Sequence, residues 1–499
     1  MDFCAPDKKE FLKLAKKSNL IAVVHEIRAD LETPVSAYLK LGDNAYSYLL
    51  ESVEGGERIA RYSFLGGRPS LIFKSKGKKI TITSPNGKIN KFTTKFDPLY
   101  ELEKLLKRYH AAPNKDLPPF SGGAVGYLGY DTIRFIERIP DKNKDVYEIP
   151  DSLFIFTDTL FAFDHLKQKI KVIVNVRLDD FKNPKEAYLH AEERIKEEIR
   201  RLNSATAVHR STAESLKHVK LKVLSNFTKT AFEKAVQKAK RYIKIGDIIQ
   251  VVPSQSFRTA ILSNPLDIYR ALRSINPSPY MFYLNCDDFY LVGSSPEIHV
   301  RCEDRKAAVR PIAGTRPRGK DSREDERLEK ELLSDPKERA EHLMLVDLAR
   351  NDLGRVCDFK TVKVPTFMTV ERYSHVMHIV SHVEGLMKKG KTIFDLLRAT
   401  FPAGTVSGAP KVRAMEIIDE LENQKRGFYA GVVGYFSYSG NLDSCIAIRT
   451  ILVKNGAAFV QAGGGIVADS IPSKEYQETV NKAKALIKAI EAAESEAAQ

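Results

Sequence analysis

Alternation of hydrophobic and polar positions dominates the first 180 residues and predicts β-strands joined by tight turns, because a period of two is typical of strands with one buried face. Pro85, Asn86 and Gly87 separate two alternating runs, which is a strong β-hairpin signal. Helical periodicity predicts helices over 7–19, 98–110 and 184–202. The predicted strands are IAVVHEI (21–27), SAYLKL (36–41), YSYLLES (46–52), LIFKSKG (71–77), the two runs beside the hairpin turn, SLFIFTDTLFAFDH (152–165) and KIKVIVNVRL (169–178).

The second half of the chain mixes long helices with hairpins. Helices are predicted over 231–245, with Gly246 as the stop, and over 265–276. Strands and helices do not alternate regularly and no fixed repeat is visible, so the pattern favours an α+β fold of layered sheets. The small, polar run 203–217 is the best linker candidate and predicts domains of 1–215 and 216–499. The predicted strands of this half include DIIQVVPSQSF (247–257), YMFYLNC (280–286) and FYLVGSSPE (289–297).

Length and charge narrow the class of protein without deciding it. The 499 residues carry 79 Lys plus Arg against 64 Asp plus Glu, which gives a net charge of +15. A basic surface favours anionic partners, but the excess is Lys dispersed along the chain without a basic and aromatic platform, so no nucleic acid partner is expected. No apolar run is long enough to span a membrane, the N-terminus lacks a signal-peptide core, and the five Cys show no metal or disulfide spacing. A cytoplasmic protein without membrane association is expected.

One stretch in the C-terminal quarter is so rich in small residues that a ligand could approach its backbone closely. FPAGTVSGAPKVRAM (401–415) combines Gly, Pro and two cationic side chains, and Gly404 and Gly408 leave main-chain N–H groups uncovered. Pro410 is predicted as the first residue of an amphipathic helix over 411–422. The pattern predicts an exposed, cationic helix N-terminus that favours anions, and a tight turn before a core helix is the alternative. The predicted apolar face carries Val412, Met415, Ile418 and Leu421.

Two predicted helices carry acidic residues near their starts. Glu338, Glu341 and His342 fall on one face of the first, because residues three and four apart are neighbours on a helix. Glu475 and Glu478 stand in the first turn of the second. Mg²⁺ prefers oxygen ligands, so these helices are candidates for a metal site. A solvated helix face and ordinary helix-dipole partners are the alternatives.

Six segments of the second half combine small residues with a polar end. Each can bring backbone N–H groups, a Thr hydroxyl or a guanidinium to a carboxylate-bearing ligand, while the acidic helices supply the metal. Together they indicate a bound dianion with Mg²⁺. The segments are GSSPE (293–297), RPIAGTRPRG (310–319), FPAGTVSGAPK (401–411), RGFYAGVVGYF (426–436), CIAIRT (445–450) and QAGGG (461–465).

In this order the segments resemble the chorismate-utilising enzymes, over about residues 20–490. The resemblance implies layered antiparallel β-sheets with helices outside, in two interlaced domains, the second of which binds chorismate. It implies that Glu341 and Glu478 bind Mg²⁺, that Glu297 protonates the leaving C4 hydroxyl and that His378 takes part in pyruvate elimination. The chorismate contacts that it implies are Gly314, Thr315, Thr405, Tyr429, Arg449, Gly463, Gly464 and Gly465.

Two positions favour one reaction within that family. Members that add water to chorismate have a Lys base where this chain has Gln250, and aminodeoxychorismate synthases commonly carry Lys in place of Ala313. The expected reaction is therefore amination of chorismate at C2 by ammonia with loss of the C4 hydroxyl, followed by loss of pyruvate to give anthranilate, the first step of tryptophan biosynthesis. The alternative is the aminodeoxychorismate synthase reaction of the folate pathway, whose product keeps its side chain.

The resemblance also implies an inhibitor and a partner. Ser52 in LLES and Pro279, Tyr280 and Met281 in NPSPYMFYL match a feedback site for tryptophan, in part within the N-terminal domain. Without the resemblance they are a strand-end Ser and core residues. No segment resembles a glutaminase nucleophile loop, so ammonia is expected from a separate glutamine amidotransferase subunit or from free ammonium.

Overall fold

The structure is a computed structural model that describes residues 4–52, 61–204, 219–373 and 376–497. Short 3-10 helices lie at Tyr130–Phe135 and Gly404–Val406. The α-helices are α1 (Lys8–Leu14), α2 (Pro34–Leu41), α3 (Pro98–Leu106), α4 (Pro184–Leu202), α5 (Lys229–Lys244), α6 (Pro265–Ile275), α7 (Ser322–Ser334), α8 (Pro336–Gly354), α9 (Ile393–Thr400), α10 (Lys411–Leu421) and α11 (Pro472–Ala497).

The strands are mostly antiparallel neighbours and form two large sheets. They are β1 (Leu20–Arg28), β2 (Ser47–Glu51), β3 (Tyr62–Gly66), β4 (Leu71–Lys76), β5 (Lys79–Thr83), β6 (Ile89–Thr93), β7 (Gly123–Leu128), β8 (Ser152–Thr157), β9 (Thr159–Asp164), β10 (Lys169–Arg177), β11 (Leu224–Ser225), β12 (Gln250–Val251), β13 (Ser254–Ala260), β14 (Tyr280–Asn285), β15 (Phe289–Ser295), β16 (Ile298–Glu303), β17 (Lys306–Val309), β18 (Ile312–Pro317), β19 (Lys363–Arg372), β20 (Val376–Leu386), β21 (Gly408–Ala409), β22 (Val432–Ser437), β23 (Leu442–Ile446), β24 (Thr450–Lys454) and β25 (Ala457–Gly463).

Each large sheet contains strands from both halves of the chain. The first sheet runs β1-β10-β9-β3-β2-β14-β15-β24-β25-β13-β11, and the second runs β18-β20-β17-β16-β23-β22-β7-β8-β4-β5-β6 with β19 beside β20. The halves meet where β14 pairs with β2, Met281 opposite Glu51, and where β22 pairs with β7. The predicted α+β fold of layered, interlaced sheets is therefore confirmed. The boundary at residue 215 lies outside the described residues and stays a prediction.

The main core lies between the two sheets, and a second core attaches helices to the outer face of the first sheet. Phe282 and Leu291 from the first sheet and Phe154 and Val433 from the second share the main core. In the second core α4, α6 and α11 pack on the first sheet. Burying one large apolar side chain contributes roughly 1.5–3 kcal/mol, so this face holds α11 firmly through Leu486 and Ile490.

Two sequence predictions of secondary structure are wrong, and both errors come from turn chemistry. The predicted strand 36–41 is helix α2, because Pro34 starts it and Thr33 and Ser36 form a capping box. The predicted strand 247–257 is split into β12 and β13 by Pro253, which lacks the N–H that a strand ladder requires. The hairpin at Pro85 to Gly87 is confirmed as β5 and β6.

All five Cys are buried thiols without a disulfide. Among the described residues, none of the helices has the length and apolar content that crossing a membrane requires.

Candidate active site

The acidic starts of α8 and α11 lie close together at one end of the sheets. Burial raises the pKa of Glu341 in α8, the neighbouring Glu338 raises it further, and Lys482 of α11 opposes the rise. Burial likewise raises the pKa of Glu475 in α11, with Glu478 adding to the rise and Lys337 of α8 among the charges that oppose it. Charges on each helix thus act on the carboxylate of the other, as expected if the two N-terminal turns face one shared space.

The carboxylates of these two helices are held by nitrogen donors. Gln250 Nε2 donates to Glu341 Oε1 at 3.0 Å, and Lys482 Nζ lies 2.7 Å from Glu478 Oε1. Within the described ranges no group of three or more His, Cys, Asp or Glu is arranged tightly enough to hold a metal ion. Burial is the main cause of both raised pKa values and a neighbouring carboxylate adds to each, so a divalent cation bound beside these oxygen donors would stabilise their ionised form. The residues present therefore fit Mg²⁺.

His342, which the helical spacing grouped with Glu338 and Glu341, does not belong to this space. It is fully buried, its Nε2 lies 2.7 Å from Ser381 Oγ, and burial lowers the pKa of its ring to about 4. It is a neutral core histidine, so the predicted grouping of His342 with the two carboxylates is wrong.

The glycines at the end of β25 let three elements approach the same point. A Cβ on Gly463 would lie 2.8 Å from Tyr429 Oη, and one on Gly465 would lie 2.6 Å from Gln250 Nε2. Gly464 faces the acidic start of α11, since its Cβ would lie 3.7 Å from Glu478 Oε1. A side chain at any of these three positions would force Tyr429, Gln250 or the start of α11 to move.

A bulge in β18 places Thr315 beside His378. The β18–β20 register shifts between Ala313 and Thr315, with Gly314 at φ +73°, and Thr315 pairs with His378. His378 Nδ1 lies 3.0 Å from the Gly314 carbonyl oxygen and 3.0 Å from Thr315 Oγ1. A carbonyl only accepts, so Nδ1 carries the hydrogen and Nε2 holds the free lone pair. Burial lowers the pKa of His378, with Arg449 adding to the fall, which keeps the ring neutral.

Arg449 brings a half-buried positive charge close to His378, Tyr429 and Glu478. Its Nη1 donates to the Lys482 carbonyl oxygen at 3.0 Å, and no carboxylate of the described residues forms an ion pair with it. Burial lowers the pKa of Arg449, whereas Tyr429 and Glu478 oppose the fall. A half-buried guanidinium with spare donors favours an anionic ligand, such as the carboxylate of a substrate.

Glu297 is a carboxylic acid that lines a pocket together with Thr405. Burial raises the pKa of Glu297 to about 8, and the Thr405 hydroxyl and Lys482 oppose the rise. The Thr405 hydroxyl oxygen is itself buried, and among the described residues no group lies within hydrogen-bond geometry of it. Glu297 is therefore mostly protonated at pH 7 and able to donate a proton, and Thr405 has hydrogen-bonding capacity left for a ligand.

The stretch 401–415 contributes Thr405 but not a cationic helix start. Lys411 Nζ is 2.8 Å from Asp352 Oδ2, and Arg413 pairs with Asp247 and Glu416. Pro410 is the N-cap and not the first helical residue. Val412, predicted on the buried face, is 40% exposed, and Ala414 and Ile417 are buried with the other predicted residues instead. The prediction of a free, anion-binding helix N-terminus is therefore wrong.

The four residues expected to bind an inhibitor line one cavity of about 260 Å³. Ser52, Pro279, Tyr280 and Met281 share its wall with side chains that include Arg301, Tyr435 and Asp443. The Ser52 hydroxyl is buried without a hydrogen-bond partner in the described part of the chain, while Tyr280 Oη donates to Asp443 Oδ1 at 2.9 Å. The cavity therefore offers aromatic, polar and charged groups to one small amphipathic ligand.

The model of the chorismate binding enzyme family matches residues 47–488. The chain belongs to the chorismate-binding enzymes. Anthranilate synthase component 1 of Acetivibrio thermocellus is 50% identical over 491 residues, which cover 98% of this chain and 99% of that protein. The crystal structure of anthranilate synthase component I from Streptococcus pneumoniae TIGR4 aligns with a TM-score of 0.77 at 37% identity, over 92% of this chain and 99% of that one. The menaquinone-specific isochorismate synthase of Escherichia coli, at 18% identity over 97% and 98% of the two chains, shares the fold with a TM-score of 0.68.

For a member of this chorismate-binding family, the residue that sequence reasoning missed is Lys482. Its Nζ donates to the Gly463 carbonyl oxygen at 3.0 Å, and its charge acts on Glu297, Glu341 and Glu475. The only local signal was its position four residues after Glu478, the favourable order of an acid and a base on a helix. That spacing is ordinary on helix surfaces and could not single it out.

Proposed function

We propose that the chain is the synthase component of anthranilate synthase and converts chorismate to anthranilate and pyruvate. The observation that carries the proposal is the combination of Glu297, which is mostly protonated at pH 7, with a half-buried Arg449 guanidinium that forms no ion pair among the described residues. This arrangement suits a dianionic substrate that must lose a hydroxyl. Full-length relatives named anthranilate synthase component 1 support the choice of product.

The reaction divides into two steps that different side chains serve. In the first, Glu297 protonates the C4 hydroxyl, which leaves as water while ammonia adds at C2. In the second, the C2 proton is lost to the free Nε2 lone pair of His378 as pyruvate departs and the ring becomes aromatic. Arg449 and the backbone at Gly463 and Gly464 orient the carboxylates.

We assign the Mg²⁺ site to Glu341 and Glu478, with Glu338 and Glu475 close by. Bound there, the ion would neutralise the ring carboxylate of chorismate and so ease attack by a nucleophile. Lys482 contacts Glu478 Oε1, which leaves Glu478 Oε2 available to bind the ion. The four carboxylates that α8 and α11 carry near their starts, with charges of each helix acting on the other, support this assignment.

The nitrogen source in the proposal is a separate glutamine amidotransferase, or free ammonium, in the cytoplasm. The name component 1 of the relatives implies a partner component. The aminodeoxychorismate synthase reaction is not favoured, because the near-full-length relatives carry the other name and the chain has Ala313 where that group commonly has Lys.

The decisive test is the product made from chorismate. The purified chain, given chorismate, MgCl₂ and an ammonium salt, is expected to produce fluorescent anthranilate and an equal amount of pyruvate, with neither product when chorismate is left out. An aminated product that retains the enolpyruvyl group would contradict the proposal and favour aminodeoxychorismate synthase.

The cavity at Ser52 is proposed as a tryptophan site that controls this activity. Tyr280 on its wall pairs with Ser295, two residues before Glu297, and Cys445 on its wall precedes Ile446, whose N–H donates to the Glu297 carbonyl oxygen at 3.0 Å. A ligand that moves either strand would therefore displace the acid. This adjacency supports feedback inhibition by tryptophan.

Replacing Ser52 with Arg is expected to relieve tryptophan inhibition without removing activity. The larger, charged side chain would fill part of the cavity and meet Arg301 on its wall, so the inhibition constant should rise at least about tenfold, equivalent to about 1.4 kcal/mol. The measurement is the rate of anthranilate formation against tryptophan concentration. Ser84→Arg, at the half-buried residue before the exposed β5–β6 turn, is the control for added charge and should leave inhibition unchanged. An unaltered inhibition constant in Ser52→Arg would show that tryptophan binds elsewhere.

A further inference from the structure

Arg426 carries the largest of the side chains that are buried to at least 98% in the described chain, with 1% of its surface exposed. Its Nη2 lies 2.6 Å from Glu422 Oε1 and its Nε 3.1 Å from Glu422 Oε2, so the pair forms a forked ion pair. Two further N–H groups reach backbone carbonyls, Nη1 to Val406 at 2.7 Å and Nη2 to Val252 at 2.6 Å. The guanidinium is thus satisfied by one carboxylate and two loops.

Each of these contacts reaches a segment that lies beside a proposed chorismate contact. Val406 follows Thr405 in the 3-10 helix at Gly404–Val406. Val252 precedes Pro253, whose carbonyl oxygen accepts from the Gly464 N–H at 3.2 Å. The Arg426 guanidinium also lies 5.5 Å from the centre of the Tyr429 ring.

Glu422 extends the same arrangement. Its Oε1 accepts from the Ser254 N–H at 2.9 Å and from Ser254 Oγ at 2.7 Å, which fixes the loop between β12 and β13. On the other side the Arg426 guanidinium lies 4.7 Å from the Tyr130 ring centre, in the N-terminal half of the chain. Cation–π contacts of a desolvated Arg add to its hold on both rings.

A structural ion pair alone does not require this geometry. Buried ion pairs are often no more stabilising than apolar residues of the same volume, because desolvation offsets the attraction. Here the two backbone contacts reach Val406, which follows Thr405, and Val252, whose neighbour Pro253 accepts from the Gly464 N–H, while the guanidinium lies near the Tyr429 ring. Arg can make these contacts together because its planar guanidinium has five N–H donors, whereas Lys has a single ammonium group.

We propose that Arg426 is a positioning residue that fixes the mutual distances of Thr405, Tyr429 and the Gly463–Gly464 backbone around chorismate. It touches no reacting atom and acts through the three segments that it joins. The proposal rests on the proposed function, because these segments are assigned there to the substrate.

The test compares Arg426→Lys with the matched variant Arg398→Lys. Arg398 forms a forked ion pair with Asp97, with Nη2 2.9 Å from Oδ1 and Nε 3.1 Å from Oδ2, and it joins α9 to α3 away from the substrate space. Arg426→Lys is expected to raise the KM for chorismate at least about tenfold and to reduce the rise in melting temperature that chorismate causes. Arg398→Lys should leave both at their wild-type values.

A purely structural role predicts a different outcome. It would lower the melting temperature of Arg426→Lys without substrate while leaving the KM and the chorismate-dependent rise unchanged, and that result would overturn the proposal. If Arg426→Lys does not fold, Glu422→Gln serves the same comparison, since it keeps the shape and the Ser254 contact but weakens the fork. A wild-type KM in a folded Glu422→Gln would then overturn the proposal.

An error in the proposed function would give a different result from an error in the role of Arg426. A wild-type chain that makes no anthranilate would contradict the proposed function, and the chorismate-dependent melting shift would still report whether Arg426 shapes a binding site.

Discussion

Glu297→Gln is expected to lower the turnover of chorismate by about 10²–10⁴-fold, the range associated with loss of a general acid. Gln has nearly the same shape but cannot give a proton to the C4 hydroxyl. Binding should change less than turnover, since the amide can still meet the Thr405 hydroxyl. The measurement is kcat and KM for anthranilate formation at saturating Mg²⁺ and ammonium.

The pH dependence of the wild-type protein gives an independent check on the same residue. Burial raises the pKa of Glu297 to about 8, so the active, protonated form prevails below that pH and is lost above it. Turnover should therefore fall as the pH rises through about 8, and Glu297→Gln should lack that falling limb. Because ammonia itself becomes more available at high pH, the comparison is made at constant free ammonia concentration.

Glu494→Gln is the matched control for removing a buried carboxylate. Glu494 accepts from the Leu262 and Ser263 N–H groups, far along α11 from the substrate space, and Gln can keep those contacts through its amide oxygen. It should keep wild-type turnover and pH profile. Full activity in Glu297→Gln, or an unchanged alkaline limb, would assign the acid to another group.

The elements that sequence predicted well are those whose signal is local. The helix over 184–202 begins at a proline beside the cap Asn183, and the β5–β6 turn carries its own Pro-Asn-Gly signature. Residues 36–41 of helix α2 alternate like a strand, and the cap at Thr33 that starts the helix lies before that run. The pairing of β2 with β14 and of β7 with β22 joins residues more than 200 positions apart, and no local pattern encodes it.

The residues of the candidate site likewise divide into those with a local sequence signal and those defined only by tertiary contacts. The spacing of Glu338 and Glu341 on α8 was readable, but the same spacing included His342, and only tertiary packing separates a core histidine from a ligand. The roles of Lys482 and Arg426 depend on partners in other elements. Lys482 donates to Gly463, and Arg426 donates to Val406 and Val252. The charges of Lys411 and Arg413 were conspicuous in sequence and turned out to be ion-paired.

Glu478→Gln is expected to abolish Mg²⁺-dependent turnover while leaving the fold intact. The change removes one of two proposed ligand carboxylates, and a bound metal ion supplies several kcal/mol of charge stabilisation, so the rate should fall at least about 10²-fold. It also frees Lys482 from its ion pair, which adds positive charge where a cation is to bind. The measurements are turnover against MgCl₂ concentration and direct binding of Mn²⁺ as a spectroscopic probe.

The control lies on the same helix, so that loss of metal binding can be separated from loss of α11. Glu491 is thirteen residues further along, roughly 20 Å at the rise of an α-helix, and Glu491→Gln removes the same charge from the same element. It should bind Mn²⁺ and turn over chorismate like the wild type. Wild-type Mn²⁺ binding in Glu478→Gln would show that the ion sits elsewhere, even if activity were lost. The loss of activity would then be due to Lys482, because its released ammonium would hold the substrate carboxylate in an unproductive position.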